Sequence, residues 1–235
     1  MKMDGILTHL GIIMDGNRRF ARRLMMKPWK GHEWGAQKLL KIFEWCKELE
    51  IEELTLYTFS IQNFNRPKEE FDMLMNIFRD NFDKIKEEEH IVNQNKIKIK
   101  FIGRLHLFPE DIQQKAKDIE ELTKDYSDYT VNFAFGYGGR EEIIDATKKI
   151  AELVKENKIQ PSEITEELIK ENLYMADEPD LIIRTGGDRR TSNFLIFQSS
   201  YSEWLFLEKK FPELKKEDIV KCKLDFEKRE RRFGK

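Results

Sequence analysis

Short apolar runs alternate along this chain with stretches in which apolar residues recur every three or four positions. Residues 10–14, 54–60, 97–102, 130–135, 181–184 and 203–207 have the length and composition of strands. Between them, Leu39, Ile42, Phe43 and Cys46 share one helical stripe, and Phe71, Leu74, Met75, Phe78 and Phe82 share another. Further helical periodicity covers 110–123, 141–156, 166–174 and 217–229. Strand–helix alternation of this kind predicts an α/β fold, a mainly parallel six-stranded sheet with helices on both faces. The run Lys96-Ile-Lys-Ile-Lys-Phe101 alternates polar and apolar residues, as an edge strand with one wet face would. Pro161-Ser-Glu reads as a loop between helices. No linker, low-complexity tract or repeat divides the chain, so residues 1–235 are expected to form one domain.

Composition narrows the function classes. A chain of 235 residues can bury a substantial core, and its 42 Lys and Arg nearly balance 44 Asp and Glu, for a net charge of −2. Non-specific nucleic-acid binding over the whole surface is therefore disfavoured. Cys46 and Cys222 are the only cysteines, without a C-x-x-C or a histidine cluster. Neither a disulfide framework nor a structural zinc site is expected, and the chain reads as cytoplasmic. The start lacks the apolar stretch of a signal peptide, and no run of 18 apolar residues occurs, so any membrane contact is expected to be peripheral.

Two strand ends carry residues suited to phosphate. The first runs from Leu10-Gly-Ile-Ile-Met14 into Asp15-Gly16-Asn17-Arg18-Arg19. The second runs from Asp180-Leu-Ile-Ile183 into Arg184-Thr185-Gly186-Gly187-Asp188-Arg189-Arg190-Thr191-Ser192-Asn193. Small residues let backbone N–H groups approach an anion, and guanidinium forks grip phosphate oxygens in pairs. In open α/β sheets ligands lie beyond the carboxyl ends of the strands, where both tracts fall. Two cradles imply two phosphorylated substrates. At the first, a helix beginning after Asp-Gly-Asn presents free N–H groups and a positive dipole end. Asp15 is then placed to hold Mg²⁺, which favours one or two carboxylates together with substrate phosphates. An ordinary turn with Asn17 as helix cap would use the same residues but needs no paired Arg18 and Arg19. His32, following Gly31, is by itself a structural or capping histidine.

The middle tract, Tyr57-Thr-Phe-Ser60-Ile-Gln-Asn63-Phe64-Asn65-Arg66-Pro67-Lys-Glu-Glu70, leaves a strand and enters a helix at proline. With Asn65 as cap it is a plain polar turn; a functional role requires Ser60, Asn63 and Arg66 to share a mouth with Asp15. In the late tract no Gly-Lys-Ser/Thr follows the glycines, which excludes a P-loop, and the dinucleotide G-x-G-x-x-G is absent. Arg184, Arg189, Arg190 and Ser192 suit a second diphosphate, although a solvated basic turn is the plainer alternative. Glu203, followed by Trp204-Leu-Phe-Leu207, must be paired or bind a cation. That leaves a second Mg²⁺ contact or an ion pair with an arginine. Helix 71–82 is apolar over a wide stripe, which suits core packing or, alternatively, the lining of a long hydrocarbon.

These residues resemble the cis-prenyltransferase family, typified by undecaprenyl diphosphate synthase. The resemblance covers nearly the whole chain and rests on five spaced motifs. They are His9-Leu-Gly-Ile-Ile-Met-Asp-Gly-Asn-Arg-Arg19, Gly31-His32, Leu54 through Pro67, Asn132-Phe-Ala-Phe-Gly-Tyr-Gly-Gly-Arg140, and Asp180 through Gly187 with Ser192-Asn-Phe-Leu195 and Tyr201-Ser-Glu203. It implies a homodimeric α/β enzyme, with an apolar tunnel between sheet and helices, that adds isopentenyl diphosphate units to an allylic diphosphate. Mg²⁺ is the implied cofactor, and the new double bonds are cis. The Asp-rich motif of trans-prenyl synthases is absent.

By matching position, the resemblance makes Asp15 the magnesium ligand and leading catalytic residue. Gly16, Asn17, Arg18, Arg19, His32 and Arg66 surround the allylic diphosphate, and Ser60, Ile61, Gln62 and Phe64 line the mouth beside it, with Phe20 as an aromatic wall. Asn63 is by the resemblance the proton acceptor or its orienter; a neutral amide is a poor base, which favours Asn63 positioning the isopentenyl group while a diphosphate oxygen takes the proton. Arg184, Arg190, Thr191 and Ser192 match the isopentenyl diphosphate site, and Glu203 the second magnesium-related acid. Tyr129 is a candidate tunnel floor, and Arg232-Phe-Gly234 resembles a segment that reaches the partner subunit's site. Several positions depart from the family pattern. Arg18 replaces a frequent glycine, Phe20 and Phe64 frequent tryptophans, and Gln62 and Asp188 common glutamates. Pro28 stands where an arginine is usual, leaving Lys27 or Lys30 to supply that charge. No long charged insertion follows residues 87–89, which favours a medium-length polyprenyl product for lipid-carrier synthesis. A non-catalytic subunit of a heteromeric enzyme would have lost Asp15. An RNA-binding protein would show stacking aromatics and net basicity, and this chain shows neither.

Overall fold

The computed structural model describes residues 5–229, so Arg232 to Gly234 lie outside the described residues. Six strands, β1 (His9–Ile13), β2 (Glu53–Ser60), β3 (Ile97–Ile102), β4 (Tyr129–Tyr137), β5 (Leu181–Arg184) and β6 (Glu203–Phe206), form one sheet. Their order is β3-β4-β2-β1-β5-β6, and every pairing is parallel. A parallel strand must be re-entered by a crossover, and the helices supply most of these. They are α1 (Asn17–Arg23), α2 (Pro28–Glu48), α3 (Lys68–Ile85), α4 (Ile91–Gln94), α5 (Glu110–Thr123), α6 (Gly139–Lys155), α7 (Glu166–Asn172) and α8 (Lys216–Glu227).

Central β1 is buried at every position, as expected for a parallel strand covered on both faces. The alternation along 97–102 does mark an edge: β3 ends the sheet, with Lys100 exposed between buried Ile99 and Phe101. One face carries the larger core, in which Leu10, Ile12, Leu54, Leu56 and Ile99 meet Phe43, Leu74 and Phe82 from α2 and α3. The opposite face packs Ile13, Ala134, Tyr137 and Ile182 against Met175, Phe194 and Leu195.

The element boundaries shift where packing outweighs periodicity. Helix α2 starts at Pro28, well before the apolar stripe at Leu39, because its first turns serve the backbone of α1 rather than the core. A Cβ at Gly31 would stand 2.0 Å from the Asn17 carbonyl oxygen, so only glycine lets the two helices approach this closely. Asn17 is not a cap. It is the first residue of α1, its Nδ2 donates to the Met14 carbonyl at 3.0 Å, and the capping position belongs to Gly16 at φ +97°. Asn65 does not cap α3 either; residues 61–65 form a 3₁₀ turn and Pro67 occupies the cap position. Pro161–Glu163 is likewise a 3₁₀ turn. No helix among the described residues is long and apolar enough to cross a membrane.

Candidate active site

Strands β2, β1 and β5 lie side by side at the centre of the sheet, with Ile13 level with both Tyr57 and Arg184. Their carboxyl ends therefore deliver Asp15, Ser60 and Arg184 to one place, the general ligand position of open α/β sheets. Arg184 is 3 % exposed and joins the cradles: Nη2 donates to Asp15 Oδ2 at 2.7 Å, and Nη1 donates to Ser192 Oγ and to the Arg190 carbonyl, both at 2.6 Å. Arg19 Nη2 stands 3.0 Å from Asp15 Oδ1 and 3.0 Å from Asp188 Oδ2, and Arg190 reaches Asp188 at the same distance. Thr185 Oγ1 donates to the Asp15 carbonyl at 2.8 Å and fixes the strand end. Gly186 sits at φ +94°, where a side chain is strained, and a Cβ there would lie 3.1 Å from the Asp15 carbonyl carbon.

A second polar group forms across the mouth. His32 Nε2 is 3.2 Å from Arg66 Nη1, which also donates to Glu70 Oε1 at 3.0 Å; Arg18 Nε lies 3.6 Å from the same carboxylate. Arginine can only donate, so Nε2 of His32 carries no proton and accepts. Burial, aided by the charges of Arg66 and Arg18, pushes the His32 pKa down to about 3. His32 is thus a neutral acceptor, not a proton donor at neutral pH. Asp15 behaves oppositely. Burial alone would raise its carboxyl, but the hydrogen bonds and charges of Arg184 and Arg19 outweigh it and hold the group below its ordinary value.

Between these groups opens a cavity of about 300 Å³. Asp15, Asn17, His32, Ser60, Asn63, Arg66 and Ser192 are among its polar lining, and Leu39, Phe43, Leu74, Phe78, Phe82 and Phe133 are among its apolar lining. Helix α3 lines it with Leu74, Ile77, Phe78, Asn81, Phe82 and Ile85, one helical face spanning roughly 16 Å at ~1.5 Å per residue. Asn63 is held in this lining by its own turn, where its Oδ1 accepts the Ser60 N–H at 3.0 Å.

Several expected residues lie elsewhere. Phe20 faces the outside of α1, edge-on to Trp34 at 5.3 Å between ring centres, and Phe64 is spent on Phe59 and Phe108 at 4.9 and 5.0 Å. Neither lines the cavity, and nor do Ile61, exposed Gln62 or exposed Thr191. Tyr129 is buried with its hydroxyl donating to the Phe43 carbonyl at 2.9 Å, and the cavity is lined from β4 by Phe133 and Phe135 instead. Glu203 is not brought to Asp15. It opens β6 level with Leu181, hence with Leu10, five residues below Asp15, or about 16 Å along the strands. Its Oε2 accepts from Arg229 at 2.7 Å, the ion-pair alternative. Sequence reasoning gave no role to Glu70, 6 % exposed, whose pair with Arg66 has the local i,i+4 spacing but whose contact with Arg18 spans the chain, nor to Tyr57, whose hydroxyl donates to the Ser192 carbonyl at 3.2 Å.

Two cationic groups at the mouth of an apolar cavity define a protein built for a ligand with a diphosphate head and a hydrocarbon body. Such ligands are the substrates of prenyltransferases. Residues 13–234 match the family described as "Putative undecaprenyl diphosphate synthase". The chain is 46% identical over 236 residues to the tritrans,polycis-undecaprenyl-diphosphate synthase (geranylgeranyl-diphosphate specific) of Thermococcus kodakarensis, covering 100% of this chain and 89% of the relative. It is 41% identical over 240 residues to an isoprenyl transferase of Thermus thermophilus, covering 100% and 91%. Among solved structures it superposes with a TM-score of 0.94 on lavandulyl diphosphate synthase from Lavandula x intermedia in complex with dimethylallyl diphosphate, at 32% identity over 99% of this chain and 100% of that one. A probable undecaprenyl diphosphate synthase from Campylobacter jejuni gives 0.81 at 34% identity, over 97% and 99%. The chain belongs to the undecaprenyl diphosphate synthase family of cis-prenyltransferases.

Proposed function

We propose that this protein repeatedly condenses isopentenyl diphosphate onto an allylic prenyl diphosphate, farnesyl or geranylgeranyl, and so builds a medium-to-long Z-polyprenyl diphosphate for lipid-carrier synthesis. The observation that carries this is the continuity of the Asp15–Arg184–Ser192 cradle and the His32–Arg66 group with one apolar cavity. Geranylgeranyl diphosphate is the favoured primer, because the Thermococcus relative is specific for it. A homodimer is the proposed assembly.

In the reaction the allylic C–O bond breaks and its electron pair leaves with the diphosphate. The isopentenyl double bond forms the new C–C bond, and a proton passes to a diphosphate oxygen as the cis alkene forms. Arg18 and Arg66, aimed by Glu70, hold the allylic diphosphate where negative charge develops. Arg184, Arg190 and Ser192 hold the second diphosphate. Asn63, its carbonyl engaged by Ser60, presents its amide to the isopentenyl group and sets its position. Asp15 is the residue that would hold Mg²⁺. It is ionised, and with Asp188 on the far side of the shared Arg19 it suits a cation arriving with phosphate oxygens, since Mg²⁺ takes one or two carboxylates together with phosphates. Bound there, Mg²⁺ would supply positive charge to offset that of the diphosphate. Glu203 stays a proposed magnesium-related acid only through contacts other than Asp15.

Labelled isopentenyl diphosphate, Mg²⁺ and each primer in turn, followed by chromatography of the extracted lipids, tests the reading. Incorporation with at least one primer, lost in Asp15→Ala, is expected. No incorporation with any primer, or an Asp15→Ala enzyme turning over normally, overturns it.

A further inference from the structure

The end of α1 carries a feature that the condensation does not use. Met26 N–H donates to the Ala21 carbonyl and Met25 N–H to the Arg22 carbonyl, both at 2.9 Å. This double closure of a helix usually puts glycine at its left-handed position. Here that residue is Met25, at φ +54°. A side chain is strained in this conformation. It is also 96 % exposed, between Leu24 at 46 % and Met26 at 41 %. Three consecutive apolar side chains at a strained turn add little to the core. Beside them Phe20, Leu24, Trp34 and Pro212 line a shallow groove with Lys38 and Lys41.

The charge around this crest is one-sided. Residues 17–30 include Arg18, Arg19, Arg22, Arg23, Lys27 and Lys30 and no acidic residue, in a chain whose net charge is −2. Arg19, Arg23 and Lys30 are paired with Asp15 and Asp188, Glu213 and Glu33. Among the described residues, exposed Arg22 and Lys27 make no ion pair, and Lys27 lies 5.4 Å from the ring centre of Trp29.

We propose that this α1–α2 turn is a docking crest for a lipid bilayer with anionic headgroups, Leu24, Met25 and Met26 entering the interface while Arg22 and Lys27 meet lipid phosphates. The apolar tip flanked by cations is the pattern of interfacial segments, and each such cation adds attraction to an anionic surface. A crest of three side chains is too small for a stable protein–protein interface, whereas a fluid bilayer closes around it. The unbranched methionines suit a partner without fixed shape. Helix α1 spans only about 10 Å, so docking would set the Asn17–Arg19 mouth beside the membrane. The docking stands apart from which condensation the site performs.

Met25→Gly tests this without threatening the fold, because it relieves the left-handed strain. Co-sedimentation with vesicles of phosphatidylcholine mixed with phosphatidylglycerol, and with phosphatidylcholine alone, measures binding. The wild type is expected on the mixed vesicles, released by salt and scarcely retained by phosphatidylcholine alone, with Met25→Gly weaker by roughly tenfold. Both native cysteines are buried, so an environment-sensitive probe on Met25→Cys should shift to the blue on mixed vesicles alone. Equal binding of wild type and Met25→Gly, equal binding to both vesicle types, no binding at all, or an unmoved probe spectrum would overturn the proposal. Condensation assayed with a soluble primer and no vesicles should be unchanged in Met25→Gly. A wild type that docks but condenses nothing would remove the proposed function and leave the docking intact.

Discussion

Arg184 shows how much one side chain organises. Buried in a strand end, it spends Nη2 on Asp15 and Nη1 on Ser192 and the Arg190 carbonyl, so that one guanidinium sets the spacing of both cradles. Lysine cannot reproduce that fork. Arg184→Lys should keep the fold and raise KM for isopentenyl diphosphate at least tenfold, the loss of about 1.5–3 kcal/mol in charged hydrogen bonds, read by steady-state kinetics. Glu70 acts through others: Glu70→Gln should weaken the aim of Arg66 and Arg18 and raise KM for the allylic diphosphate more than it lowers kcat. His32 makes a prediction in pH. Its folded pKa of about 3 lies below the ordinary 6.5, so the stability it contributes is complete above pH 6.5 and is lost as the pH falls toward 3. NMR of the imidazole should show no protonation down to pH 5, and the acid limb of the activity profile should not move in His32→Gln.

At the scale of the element, α3 does two jobs with one face. Leu74, Phe78, Phe82 and Ile85 belong to the core cluster or pack against it and also line the cavity. Phe82→Ala should therefore have two readouts. It should lengthen the polyprenyl products, seen by chromatography, and cost about 3–5 kcal/mol, lowering Tm by roughly 10 °C in a calorimetric scan. Unchanged product length with lowered Tm would leave Phe82 a core residue alone. The strands were legible because each is a compact apolar run between turn residues. The start of α2 was not, because Gly31 and Gly35 carry no apolar signal, and their purpose is contact with Asn17, a partner on another helix.

For the whole molecule, β6 is an edge of the sheet among the described residues, with Trp204 and Phe206 stacked at 6.0 Å on it. Proteins cover such edges, and a second copy of this chain is the proposed cover. Sedimentation equilibrium should give twice 28.2 kDa, and Phe206→Glu should give the monomer. A monomeric wild type would refute the homodimer.

The sequence by itself determined the strands, the parallel α/β class and the two phosphate-suited tracts, because periodicity, glycines and paired arginines are local and register in a single pass along the chain. It also singled out Asp15, Asn63, Arg66 and Arg184 before any pairing was visible, and His32 only through the family resemblance. Only the tertiary structure decided the strand order that unites β2, β1 and β5, and with it which residues meet. Tertiary packing likewise brought Arg18 to Glu70 and gave Phe20, Phe64 and Tyr129 other partners, while the register of β6 held Glu203 far below Asp15. The reason is physical. Register and crossover are settled by which buried faces fit together over distances of a hundred residues or more, and no local pattern records that fit.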